Sequence, residues 1–249
     1  MPAARRLIGA LKTRVMLRSR EAKLRHFHSL FRPGMTVLDV GVTAKDDPKS
    51  AGPKNLLLKT YPYAPETYTG LGVHDLDALR EAYPRMRFVT YDGRVMPFGD
   101  AEFDWVFSNA VIEHVGDRDA QLKFLDEMLR VGRYVFFTTP SKYFPIETHT
   151  NVPFLHWNDR LFDAWLWKRR PKWRTKTSLW LLSAADVHDL LRRSTAIDYT
   201  LHRNRMLGWP MTITVIASRV AEVPSRAAKP SRHARRSDAA AAPASLRAE

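Results

Sequence analysis

Five short apolar segments of this chain each end in polar residues of types that bind ligands. Asp39 and Gly41 close the first, and Gly72, His74, Asp75 and Asp77 follow the second. Asp92 and Gly93 follow the third, and Ser108, Asn109, Glu113 and His114 the fourth. Thr138, Thr139 and Pro140 end the fifth, with Glu147 and His149 just beyond. Any one of these is an ordinary turn or cap residue. The series is the signal. A carboxylate accepts a pair of hydroxyls, and a histidine takes a proton near neutral pH. His149 and then His114 are the candidate bases. The plainer reading of each is structural: a satisfied helix-start residue at 114, and a loop histidine bonded to Glu147 or backbone at 149. No metal site is expected from spacing, because His149 and His156 lack a helical i, i+4 pairing with carboxylate partners.

The elements that must position these residues alternate. Strands are expected at 36–40, 67–72, 87–91, 103–108 and 133–139, separated by helical stretches, the pattern of a parallel sheet covered on both faces. A helix over 117–131 carries Leu122, Leu125 and Leu129 on one stripe, with Asp117 or Asp119 as cap and Gly132 as stop. Ser183 caps another at 183–194. Segments 197–205 and 211–218 read as two strands across Gly208-Trp209-Pro210. Residues 4–31 read as a basic amphipathic helix, packed on the domain or lying on anionic lipid, with packing favoured. The expected division is a basic helical segment at 1–33, a domain at 34–220 with an insertion at 142–182, and a disordered Ala/Pro/Ser/Arg tail at 221–249. In an open sheet of this kind ligands gather outside the carboxyl ends of the strands, where the polar series lies.

Composition narrows the partners. The net charge is +14, but residues 1–33 carry +8 and 221–249 carry +3, so the body keeps only +3. Binding a duplex needs a basic stripe across the folded body, so no nucleic acid is expected. The chain contains 0 cysteines, which excludes disulfides, thiolate zinc and cysteine nucleophiles. No membrane span or signal peptide is visible, and a cytoplasmic location is expected, with peripheral contact at an anionic inner membrane face through 1–31 or 157–180.

The stretch "DGRVMPFGDAEFDWVFSNAVIEHV", Asp92 to Val115, resembles the class I S-adenosylmethionine-dependent methyltransferases, from an acid-containing turn through the fourth strand to an "EHV" turn. "LRVGRYVFFTTPS", Leu129 to Ser141, resembles the helix and strand that follow. Within that family "YPY" at 61–63 and "FPIETHTNVPFLHW" at 144–157 are similar to small-molecule enzymes found beside glycan and natural-product genes. The resemblance implies a Rossmann-like, doubly wound, seven-stranded, mostly parallel sheet ending in an antiparallel strand. It implies S-adenosyl-L-methionine as cofactor, held by Asp39, Gly41, Asp75, Asp92, Gly93 and Asn109. Asp75 would take the ribose and Asp92 the adenine amino group, with Arg94 and Val95 along the ring.

Two departures stand out. The first loop, usually glycine-rich, reads Val42 to Lys45, and Gly72 stands where the ribose-binding acid normally falls. The expected function is methyl transfer, at oxygen, to a small-molecule, glycan- or lipid-linked acceptor beneath an aromatic, basic lid at 157–182. One rival is a non-catalytic binding module with a degenerate cofactor loop. The other, an RNA or DNA methyltransferase, lacks an Asn/Asp-Pro-Pro-Tyr-like block after the fourth strand.

Overall fold

The computed structural model describes residues 2–44, 54–175 and 178–220. Seven strands form one sheet in the order β3-β2-β1-β4-β5-β7-β6. They are β1 (Val37–Val40), β2 (Tyr68–Gly72), β3 (Arg87–Thr90), β4 (Phe103–Asn109), β5 (Gly132–Pro140), β6 (Asp198–Met206) and β7 (Trp209–Ser218). β1 to β5 run parallel, and β7 inserts antiparallel between β5 and β6. This is the expected doubly wound architecture, with each strand within two residues of its expected bounds.

Period-two alternation builds the two faces. Leu38, Val106, Phe137 and Val215 point to one core, while Val37, Trp105, Phe107, Phe136 and Ile216 point to the other. Helices α1 (Pro2–His28), α4 (Arg118–Val131) and α7 (Ala184–Arg193) bear on these cores. Leu125, Met128 and Leu129 of α4 and Val187, Leu190 and Leu191 of α7 fill the first core. Asp117 caps α4 by accepting from the Ala120 amide at 3.1 Å, and Ser183 with Asp186 forms a capping box on α7.

The second core is closed by the N-terminal helix. Leu24, Phe27, Leu30 and Phe31 are buried there, and the Phe27 ring lies 5.0–5.6 Å from those of Phe107, Phe136 and Trp105. The packed reading of this helix therefore holds over its second half. The side chains of Leu7, Leu11 and Val15, and the tail at 221–249, lie outside the described residues. Among the described residues, no helix is long and apolar enough to cross a membrane. Two short helices, α2 (Leu56–Lys59) and α3 (Asp77–Ala82), follow β1 and β2, and α5 (Asp159–Arg169) and α6 (Lys172–Thr175) belong to the segment after β5.

Candidate active site

The chain leaves β1 towards β2 on one side and returns through β4 on the other, so the strand order reverses between β1 and β4. A crevice opens at such a point. Here it is a cleft with about 430 Å³ of open space, lined among others by Arg20, Leu24, Asp39, Gly41, Phe107 and Asn109. Gly41 makes the turn at φ 100°, with its amide donating to the Leu71 carbonyl at 2.8 Å. A Cβ there would stand 2.4 Å from Val111 Cγ2, so backbone occupies the floor of the cleft where a side chain has no room.

Asp39 is 6% exposed, and its Oδ2 accepts from the Tyr68 hydroxyl at 2.7 Å. Burial pushes its carboxyl up to about 7, against the opposing pull of that hydrogen bond. Asn109 Oδ1 accepts from Thr138 Oγ1 at 2.8 Å. Thr138 Oγ1 also lies 3.5 Å from Lys23 Nζ, a buried ammonium delivered by α1. Burial and then the Arg20 charge push the Lys23 ammonium down to about 8, while Glu113 opposes them. Lys23 and Arg20 had no local signal in the sequence beyond a basic helix.

The other expected cofactor residues form a rim at the β2 and β3 tips. Asp75 is exposed and its Oδ1 accepts from the Asp77 amide at 2.9 Å. Asp92 is exposed and its Oδ1 accepts from the Arg94 amide at 2.9 Å. The two loops adjoin: Thr90 Oγ1 donates to the His74 carbonyl at 3.3 Å, and a Cβ on Gly93 would touch Val73 at 3.5 Å. Val73 and Val95 expose apolar surface on this rim. Neither Asp75 nor Asp92 lines the cleft itself. At Gly72 a Cβ would stand 2.5 Å from the Val42 carbonyl oxygen, so the altered first loop occupies the space an acid at that tip needs.

Beyond β4 the chain turns through a 3₁₀ segment, Ile112–His114, which carries the third group of residues. Glu113 is fully buried; its Oε2 accepts from Thr139 Oγ1 at 3.1 Å, while Oε1 has no hydrogen-bond partner. His114 Nδ1–H donates to the Ser178 carbonyl at 2.8 Å, and its ring meets that of His149 edge-on at 4.9 Å. His149 Nδ1–H donates to Glu147 Oε1 at 2.7 Å. Glu147 also accepts from the His149 amide and from the Thr150 amide and hydroxyl. Burial works to raise the Glu147 pKa, but the bonds and charge of His149, with those of Thr150, outweigh it and hold the carboxyl at about 2. The two expected histidines, 35 residues apart in sequence, are thus brought together, each oriented through Nδ1. Atoms of Glu113, His114 and His149 that can bind a cation lie within 4.8 Å of one another. Local spacing could not show this grouping.

The segment after β5 folds over these residues. Phe162, Leu166, Leu179 and Leu181 make a small core, against which Trp165 and Trp173 pack. Trp173 stacks on His114 with ring centroids 6.0 Å apart. Trp180 donates its amide to the Glu113 carbonyl at 2.8 Å, and buried Gln121 donates to the Trp180 and Ile112 carbonyls. Lys142 pairs with Asp159 at 2.6 Å, fixing the start of α5. Phe154, Leu161, Trp167 and Trp180 remain exposed.

A family model described as a methyltransferase domain matches residues 59–136, from α2 through most of β5. Over those residues the chain is similar to methyltransferases, and its fold is that of the S-adenosylmethionine-dependent ones. Many solved structures share its fold, among them the following three. A SAM-dependent methyltransferase from Methanosarcina mazei is 16% identical, with a TM-score of 0.50 over 79% of this chain and 97% of that one. A possible histamine N-methyltransferase from Thermotoga maritima is 13% identical, with a TM-score of 0.51 over 80% and 88%. An S-adenosylmethionine-dependent methyltransferase from Mesorhizobium loti is 14% identical, with a TM-score of 0.51 over 80% and 98%. No curated protein sequence matches.

The family match begins after β1, so it does not include the altered loop. The solved structures that the chain resembles depend on S-adenosylmethionine, the cofactor that the sequence resemblance implies here. The glycine turn and the cleft fit it at the β1 and β4 tips, while the usual β2 acid has no space.

Proposed function

We propose that this methyltransferase acts on a hydroxyl of a small-molecule, glycan- or lipid-linked acceptor held over the β4 and β5 tips. The observation that carries this reading is the convergence of Glu113, His114 and His149 beneath the aromatic lid, one residue along β5 from the Thr138–Asn109 pair of the cofactor cleft. Asp39, Gly41 and Asn109 border the cofactor in the cleft, and Asp75, Asp92 and Gly93 border its nucleoside end on the rim. When bound, S-adenosylmethionine supplies a sulfonium methyl group, which an acceptor lone pair takes while the carbon–sulfur electron pair stays on sulfur. The protein has to hold that lone pair in line, exclude water and help the hydroxyl lose its proton. The lid provides the enclosure, and the cluster containing His149 and His114 assists the proton's departure. His149, backed by buried Glu147, is the more firmly oriented of the two.

The experiment is incubation of a cell extract with methyl-labelled cofactor, followed by mass spectrometry of the products. A labelled methoxy compound supports the reading, and label on nitrogen or carbon overturns the oxygen assignment. The crowding of Gly72 by Val42 favours one rival, a binding module without catalysis. Failure to bind the cofactor at about millimolar concentration in calorimetry would select that rival.

The lid's outer face supports a lipid-linked acceptor. Exposed Leu161 and Trp167 on α5 stand among Arg160, Lys168 and Arg169, a combination suited to an anionic bilayer interface. Cosedimentation with anionic but not neutral vesicles is expected. Equal binding to neither would leave the acceptor as a soluble compound.

A further inference from the structure

The geometry points to a divalent transition-metal site formed by Glu113, His114 and His149. Their candidate ligand atoms already lie within 4.8 Å of one another. Bonds of about 2.0–2.2 Å to one tetrahedral ion set its ligands about 3.3–3.6 Å apart, so the three side chains must close in on the ion by rotating about their side-chain bonds.

Two observations beyond proximity support a cation. First, Glu113 is fully buried and its Oε1 has no hydrogen-bond partner, an arrangement that is costly for a carboxylate unless positive charge compensates it. Lys23 contributes charge nearby, but its hydrogen bond goes to Thr138. Second, both histidines donate Nδ1–H to a second group, His149 to the Glu147 carboxylate and His114 to the Ser178 carbonyl. A neutral ring held that way presents Nε2 as the electron-pair donor, and this outer support is what metal-binding histidines ordinarily have.

Two imidazoles and one carboxylate select ions of the zinc, cobalt, manganese and iron(II) class over magnesium or calcium, which prefer oxygen throughout. Three protein ligands leave a coordination position open. A hydroxyl in that position gives its proton to water more readily, leaving the oxygen pair for the methyl carbon. This catalytic role rests on the methyl-transfer reading above, whereas the binding of the ion does not.

The test uses tag-free full-length protein, stripped with a chelator, dialysed and titrated with Co²⁺ and then Zn²⁺. Calorimetry and the visible absorption of bound Co²⁺ are the readouts, and neither needs cofactor or acceptor. One equivalent of ion is expected to bind, with a Co²⁺ spectrum that Zn²⁺ abolishes. Glu113→Gln and His149→Ala should each weaken binding by about 100-fold or more, and Glu147→Gln by about 10–100-fold through its histidine. If Glu113→Gln does not fold by circular dichroism, half-buried His114→Ala carries the same expectation. No binding at about 1 mM Co²⁺ or Zn²⁺, or equal binding by parent and folded variants, overturns the site. Such a failure leaves the methyl-transfer reading standing. A bound ion with no labelled product from the extract sinks that reading and leaves the metal site intact.

Discussion

Replacing Asp39 by Asn should stabilise the protein, and by an amount that depends on pH. The carboxyl is buried beneath the cleft with a single hydrogen bond from Tyr68, and its pKa rises from 3.8 to about 7. A group whose folded pKa is raised contributes stability that is complete below its unfolded pKa and is lost as pH rises through the folded value. The window is therefore pH 3.8 to about 7. A difference of about 3 units at ~1.36 kcal/mol each gives a loss of about 4 kcal/mol once pH exceeds 7. Asn has the same shape, still accepts the Tyr68 hydroxyl and has no charge to suppress. Urea unfolding of parent and Asp39→Asn without cofactor, at pH 5 and pH 8, measures the difference. The variant's advantage should be about 2 kcal/mol at pH 5 and about 4 kcal/mol at pH 8, since all other titrations cancel between the two proteins. An advantage that does not change between these pH values would show that Asp39 is ionised in the fold and that this account of its burial is wrong.

Phe27→Ala should cost about 3–5 kcal/mol in the same assay, because it empties the centre of an aromatic cluster between α1 and the sheet; a loss below about 1 kcal/mol would mean α1 is loosely held. Gly72→Asp, which restores the acid usual for the family, should destabilise by about 1–3 kcal/mol without improving cofactor affinity, since its Cβ meets the Val42 carbonyl. Tighter cofactor binding at unchanged melting temperature would refute that steric argument. Asp92→Ala and Asp75→Ala should each weaken cofactor binding by about 1–3 kcal/mol in calorimetry, and unchanged affinity in both would remove the rim from the cofactor site.

Sheet and helix positions were legible because their signals are local. The alternation Trp105-Val106-Phe107 and the caps Asp117 and Ser183 specify direction and boundary within a few residues. The strand-tip residues were legible as a series for the same reason, each being the first polar residue after an apolar run. What was hidden depends on contacts between distant segments. Glu113 reads as one more acid until the segment after β5 brings His149 beside it, and Lys23 reads as helix surface until α1 crosses the sheet and reaches Thr138, 115 residues away. The missing β2 acid was visible as Gly72, but its cause was not: the Val42 carbonyl takes that space only when β1 and β2 pair in register.

The N-terminal helix does two separable things, and Lys23 is where they part. Phe27, four residues on, closes the core under the sheet, whereas Lys23 places an ammonium at the Thr138–Asn109 pair that borders the cofactor cleft. Its single long bond to Thr138 compensates little of the cost of burying a charge, and its other compensation is the charge of buried Glu113. Removing one charge of a buried pair costs about 3–5 kcal/mol, whereas replacing both by neutral groups is often neutral or stabilising. Lys23→Met should therefore lower the melting temperature, and Lys23→Met with Glu113→Gln should restore it. A bound anionic group that loses a charged hydrogen bond loses about 1.5–3 kcal/mol, so cofactor affinity should fall roughly 10- to 100-fold. Deleting residues 1–30 removes the core contacts as well and should lower melting temperature and affinity together. If Lys23→Met keeps its cofactor affinity, the ammonium serves only to balance Glu113, and the cleft is complete without it.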